Sequence, residues 1–151
     1  IPLRLVGSEM CIRDRAVAGG WLNYLTSIRQ LSSLPGDIRE LVIMRVASVN
    51  GAPYEADQHA PIALKEGLSQ AQLDALPDWE ASTLFSERER AVLAYTDAMT
   101  RQVQVPEPVF QAARAAMGSD KLTVELTATV AAYNMVSRFL EALQVHSHDH
   151  R

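Results

Sequence analysis

The segment Leu41-Val42-Ile43-Met44-Arg45-Val46-Ala47-Ser48-Val49 constrains the fold more than any other part of this chain. It is apolar on nearly every side, and a helix of that kind is buried rather than laid on a surface. Aromatic residues make up only 6% of the chain, with Ala and Leu carrying much of the apolar content, a balance that favours helices over sheets. Pro35 suits the first turn of this helix, where its missing N–H costs little, and Asp37 and Glu40 add favourable charge near its N-terminus. Asn50-Gly51 ends it, because both residues tolerate the left-handed conformation of a C-cap. The chain is therefore expected to be built round one buried central helix.

The flanking sequence reads as further helices. Trp21, Leu22, Leu25, Ile28 and Leu31 recur at helical spacing over 18–31, and Ser32-Ser33-Leu34-Pro35-Gly36 breaks the run. A third helix runs from near Pro53 to about Glu66 and stops at Gly67, with a kink expected at Pro61. Ser69-Gln70-Ala71-Gln72 and Ser86-Glu87-Arg88-Glu89 are capping-box patterns that open a fourth and a fifth helix, with 77–85 expected as a loop between them. A short helix covers 108–117, Gly118-Ser119 ends it, and a last helix covers about 120–143. No convincing strand, internal repeat or low-complexity stretch interrupts this series.

Residues 1–15 have no clear amphipathic period and resemble translated sequencing-adapter read-through, so the native domain is taken as 16–151. Cys11, the single cysteine, falls in that segment, and a lone thiol cannot close an intramolecular disulfide. The net charge of -4, with both signs interspersed, provides no electrostatic footprint for nucleic acid. No run approaches the roughly 18 apolar residues that a membrane span needs. No stretch has the pattern of a signal peptide, so the expected location is the cytoplasm.

Chemistry concentrates around Asn50-Gly51-Ala52-Pro53-Tyr54-Glu55-Ala56-Asp57-Gln58-His59. Residues four apart share a helix face, so Glu55 and His59 sit side by side, with a hydrogen bond available between carboxylate and imidazole. Such a pair serves as a proton-transfer unit, or simply as a solvated i,i+4 pair, and spacing alone leaves both open. Glu40 stands at the head of the most apolar helix, either as a first-turn residue complementing the helix dipole or, if the hairpin closes, facing the third helix. Arg45 is expected to be a structural partner for an acidic side chain. Asn134 is expected either in the core or lining the pocket, since a buried amide needs partners. The alternating His146, His148 and His150 near the C-terminus are a conceivable metal site or, as the plainer alternative, a polar tail.

Leu34-Pro35-Gly36-Asp37-Ile38-Arg39-Glu40-Leu41-Val42-Ile43, then Arg45-Val46-Ala47 and Asn50-Gly51, resembles the core hairpin of the carboxymuconolactone decarboxylase and alkylhydroperoxidase D superfamily. Ala132-Tyr133-Asn134-Met135-Val136-Ser137-Arg138-Phe139 resembles its closing helix, and the likeness covers roughly 20–145. The resemblance implies an all-α, alkylhydroperoxidase D-like bundle of six to seven helices round a central hairpin, assembled as a homotrimer or homohexamer. In the peroxidase branch the turn leads into Cys-x-x-Cys and then a His, with an upstream Glu in a proton relay. Here Ala52 and Glu55 occupy the two cysteine positions, Tyr54 stands where a second His is often found, and Glu40 and His59 are kept. Without a thiolate there is no peroxidatic nucleophile and no disulfide to cycle. The decarboxylase branch, with Glu and His at E-x-x-x-H spacing, is the nearer match.

The implied function is a cofactor-independent, metal-free lyase or isomerase of aromatic-compound catabolism, acting on a small carboxylate or lactone. Its catalytic residues are Glu40, Glu55 and His59, with Glu55 orienting His59, and its substrate-binding residues are Tyr54 and Asn134. Arg39 and Arg45 are the candidates for holding the substrate's anionic group. The alternatives are a non-catalytic ligand-binding or regulatory oligomer of the same fold and, by association alone, a peroxidase.

Overall fold

Seven α-helices account for most of residues 15–145, the part of the chain that the computed structural model describes; these residues include no strand. Helix α1 (Arg15–Thr26) continues into a π-helical turn, Ser27–Leu31. Helices α2 (Gly36–Asn50) and α3 (Pro53–Lys65) form the hairpin, followed by α4 (Gln70–Ala75) and a 3₁₀ turn, Leu76–Ala81. Helices α5 (Glu87–Arg101), α6 (Glu107–Met117) and α7 (Asp120–Ala142) complete the bundle. Cys11 and His146, His148 and His150 lie outside the described residues, as does the 1–15 segment apart from Arg15, the first residue of α1.

Helix α2 is the hub. Every residue from Glu40 to Ala47 is buried, and α3, α5 and α7 all pack directly on it. One side joins Ile38, Val42, Ile43 and Val46 to Leu126, Val130 and Tyr133 of α7 and to Val92 of α5. The other joins Leu41 and Met44 to Ala63 of α3, Leu68, Leu76 and Trp79. Pro35 is the N-cap of α2 rather than part of its first turn, and its carbonyl accepts the Arg39 N–H at 2.9 Å.

The turn that closes the hairpin has a simple cause. Gly51 takes the left-handed conformation (φ +61°), and the Ala52 N–H reaches back to the Ala47 carbonyl at 2.9 Å, satisfying the open end of α2. Helix α3 then starts at Pro53 and continues through Pro61 as one helix. Ser69 and Ser86 each complete a capping box, with Gln72 and Glu89 respectively. The stretch expected as a loop over 77–85 differs: its first half belongs to the 3₁₀ turn, because Trp79 is drawn into the core.

What draws it in is Arg45. Its guanidinium donates to both oxygens of Asp97 on α5 (2.6 and 2.7 Å) and to the Leu76 carbonyl (2.7 Å). The Trp79 indole N–H donates to the same carboxylate at 3.1 Å. Arg45 is thus the structural cation that its apolar setting calls for, bolting α2, α5 and the 3₁₀ turn together.

Candidate active site

The hairpin places α2 and α3 side by side, and α7 lies across both. Three polar residues from the hairpin end up wholly inside: Glu40 and His59 are each 1% exposed and Glu55 is 2% exposed. Glu40 Oε2 and His59 Nδ1 are 2.8 Å apart. The other Glu40 oxygen accepts from Arg39 Nε at 3.1 Å, and Arg39 also reaches Glu66 at 3.5 Å. Arg39 already donates to one Glu40 oxygen, and in the tautomer with its proton on Nδ1 the His59 ring donates to the other, which leaves Nε2 for other work.

Glu55 makes no hydrogen bond to His59, the role that the family resemblance implied for it. Its Oε2 accepts from Ser137 Oγ of α7 at 2.8 Å, and its buried Oε1 has no partner among the described residues. Helix α3 leans on α7 at this point, so the nearest hydroxyl comes from across the interface, and the imidazole turns the other way to Glu40. Burial pushes the Glu55 carboxyl up to about 8; the Ser137 hydrogen bond opposes that rise and the Glu141 charge adds to it. At neutral pH Glu55 is a protonated acid.

Tyr133 of α7 closes the site. It is fully buried, its ring stands edge-on to the His59 ring with centroids 5.1 Å apart, and its hydroxyl has no partner among the described residues. Its pKa is raised, chiefly by burial; the Arg29 charge opposes the rise, and the charges of Glu40 and then Glu55 add to it. Both carboxyls therefore act on one phenol. Tyr133, Ser137 and Glu141 follow one another at four-residue intervals on α7, a polar stripe within an otherwise apolar helix face. That stripe was the sequence signal for these residues, and composition-minded reading of Tyr133 as core passes over it.

Tyr54 lies in the first turn of α3, buried, with its phenol pKa raised by burial. Asn134 is committed elsewhere. Its amide donates to Thr100 Oγ1 and the Val130 carbonyl, and its oxygen accepts from Asn50 and Arg138. All its hydrogen-bonding positions are engaged in tying α2, α5 and α7 together, which leaves the structural one of its two candidate roles. Arg45 is likewise engaged with Asp97 and is not available to a substrate anion. Among the described residues no group of three His, Cys, Asp or Glu side chains is arranged to hold a metal ion. A surface hollow of about 350 Å³ between α6 and α7, lined by Gln111, Arg114 and Asp120, contains none of the buried trio.

Residues 15–98 match the model of the Carboxymuconolactone decarboxylase family. The uncharacterized protein YnjA of Escherichia coli (strain K12) is 29% identical over 126 residues, 83% of this chain; the chain spans 66% of YnjA's length. Among solved structures, the AhpD-like protein ATU0492 from Agrobacterium tumefaciens superposes with a TM-score of 0.83 at 24% identity, covering 89% of this chain and 92% of that one. The debrominase Bmp8, a variant of which was solved in complex with 2,3,4-tribromopyrrole, superposes with a TM-score of 0.81 at 19% identity, covering 94% of this chain and 76% of that one. At these identities the likeness to solved structures is one of fold.

Proposed function

We propose that this chain, which belongs to the carboxymuconolactone decarboxylase family, is a cofactor-independent lyase or isomerase that moves protons on a small carboxylate or lactone. The observation that carries this reading is the buried Glu40–His59 pair at 2.8 Å beside a second carboxyl whose free oxygen is also buried. A carboxyl that burial keeps protonated, next to a hydrogen-bonded Glu–His pair, gives the division of labour that acid–base chemistry uses. Glu40 holds His59 in one tautomer, and His59 Nε2 takes a proton from substrate carbon or returns one. Glu55 supplies the neutral O–H. When carbon dioxide leaves, the C–C electron pair stays on the substrate as an enolate; Glu55 stabilises the enolate oxygen by hydrogen bonding, and protonated His59 delivers the proton to carbon. Tyr54, in the same turn as Glu55, borders the substrate.

The peroxidase alternative has little to support it. Ala52 and Glu55 stand where that branch has its cysteines, and Cys11 is the chain's single thiol. No sustained hydroperoxide reduction with dithiol donors is expected, and turnover that survives Cys11→Ser would overturn this assignment. Assembly into a homotrimer or homohexamer is proposed with the function; exposed Val17, Leu22, Tyr24 and Leu31 on the first helical arm and Val124 and Met135 on α7 offer apolar surface for it. No helix among the described residues is long and apolar enough to cross a membrane.

The direct test is turnover of lactones and carboxylates from aromatic catabolism by wild type and His59→Ala. Removing the general acid–base group is expected to lower kcat by about 10²–10⁴-fold. The variant should stay folded, because Glu40 keeps Arg39 as a partner and the loss of the imidazole costs about 1–3 kcal/mol against a domain stability of about 5–15. Ligands that raise the melting temperature of wild type but are never turned over would favour the ligand-binding alternative.

A further inference from the structure

Hydroxyls inside these helices have a common partner. Thr96 on α5 and Thr123, Thr127 and Thr129 on α7 each donate to the carbonyl four residues back, at 2.7–2.8 Å. Ser137, also on α7, does otherwise: its Oγ donates to Glu55 Oε2 of α3 at 2.8 Å. Serine and carboxyl are both buried, at 1% and 2% exposure. Alanine would pack at this position with no polar group to satisfy, so packing alone gives no reason for a hydroxyl here.

That bond divides the two carboxyl oxygens. One proton fits between oxygens 2.8 Å apart, and Ser137 supplies it. A neutral Glu55 then carries its own proton on Oε1, which is buried and has no partner among the described residues. Burial keeps this carboxyl neutral at pH 7, so the arrangement holds in the form of the site that does the chemistry. The titratable groups on the helices packed round Glu55 are Tyr133 and Glu141, one turn either side of Ser137 on α7, and Glu40 on α2, which is bonded to Arg39 and His59. None of them hydrogen-bonds to Oε1.

We propose that Ser137 is a positioning residue: by holding Oε2 as an acceptor it fixes the Glu55 proton on Oε1, so that the free side of the carboxyl presents an O–H and not a carbonyl. The catalytic consequence rests on the acid–base reading of the site, whereas the placement of the proton does not depend on turnover. A carboxyl anchored through one oxygen keeps its O–H in one direction, as a donor to a developing enolate oxygen must.

The test is the infrared C=O stretch of protonated Glu55 in the full chain at about pH 6, between the ordinary and the raised carboxyl values, isolated as the band that Glu55→Gln removes. A hydrogen bond to the carbonyl oxygen weakens the C=O bond and lowers its frequency. Wild type is expected to show a hydrogen-bonded carbonyl, Ser137→Ala a shift to higher frequency, and Ser137→Thr, which keeps the hydroxyl, a return towards wild type. The Ser137 bond also favours the ionised carboxyl, so in Ser137→Ala the decline of stability with rising pH should continue to a higher pH, as read by urea unfolding. On any lactone or carboxylate that wild type turns over, Ser137→Ala should lower kcat about tenfold and leave KM within about twofold. A free carbonyl band in wild type would mean that Glu55 donates to Ser137 through Oε2, and overturns the proposal without recourse to a variant; an unmoved band in Ser137→Ala overturns it too. The two readings fail separately. Band and pH shifts that follow Ser137, with no substrate turned over, support the proton placement and remove the lyase reading, whereas turnover that needs His59 alongside an unmoved band removes only the role of Ser137.

Discussion

Glu55→Gln is expected to make the protein more stable at pH 8–9 and nearly unchanged at pH 4–5. The Glu55 carboxyl has its pKa raised from 4.5 to about 8, chiefly by burial. Between those values the folded state holds a proton that the unfolded chain has released. Stability therefore falls as pH rises, by about 1.4 kcal/mol per pH unit from this group alone. The contribution is fully present below pH 4.5 and is lost as the pH passes 8. Glutamine carries no titrating proton, accepts the Ser137 hydroxyl in the same way, and presents an N–H where the carboxyl presents an O–H. Urea unfolding of both proteins across this range should show the wild-type midpoint declining with pH and the variant's declining much less. Parallel pH profiles would mean that Glu55 is solvated and ionised. The same substitution should lower turnover, because an amide N–H is a weaker hydrogen-bond donor to a developing enolate than a carboxyl O–H, so stability and activity move in opposite directions.

Arg45→Met is expected to produce the largest loss of stability by a single substitution outside the candidate site, about 3–5 kcal/mol. The arginine side chain is 4% exposed and that of Asp97 is 15% exposed, so removing the cation strands a mostly buried carboxylate. Trp79 remains as a donor to it and the exposed Arg101 guanidinium lies 4.0 Å away, but a neutral indole N–H and a solvated cation at that distance do not replace a two-pronged guanidinium. The Leu76 carbonyl loses its donor as well. For a domain of this size the melting temperature should fall by on the order of 10 °C. Adding Asp97→Asn to Arg45→Met should recover much of the loss, since the stranded charge goes while an acceptor for Trp79 stays. A loss below about 1 kcal/mol would place Arg45 with ordinary surface ion pairs instead.

Most of the scaffold was legible from residue pattern. The apolar run 41–49 required a buried helix, Asn50-Gly51 required a turn, and Ser69 and Ser86 announced two helix starts; all are local preferences acting within a few residues, which is why they survive without tertiary information. Glu40 and His59 could be singled out because the hairpin turn brings them close whatever surrounds them, and their pairing at 2.8 Å follows from that proximity. The likeness of the hairpin to a known family sharpened the choice of residues but not their partners.

The partners were decided by packing. Spacing set Glu55 beside His59 on one face of α3, yet α7 lies against that face and offers Ser137, so Glu55 bonds across the interface and Glu40 takes the imidazole. Tyr133 looks like core in the sequence and is core by burial, but only the fold shows that its hydroxyl is stranded and that its ring stands edge-on to His59. Asn134 had two roles open until the approach of Asn50, Thr100 and Arg138 filled its bonds. Helix periodicity is a one-dimensional property and is written along the chain. Which polar group finds a partner in the interior depends on helices up to about a hundred residues apart coming together, and desolvation makes that choice matter far more inside than at the surface.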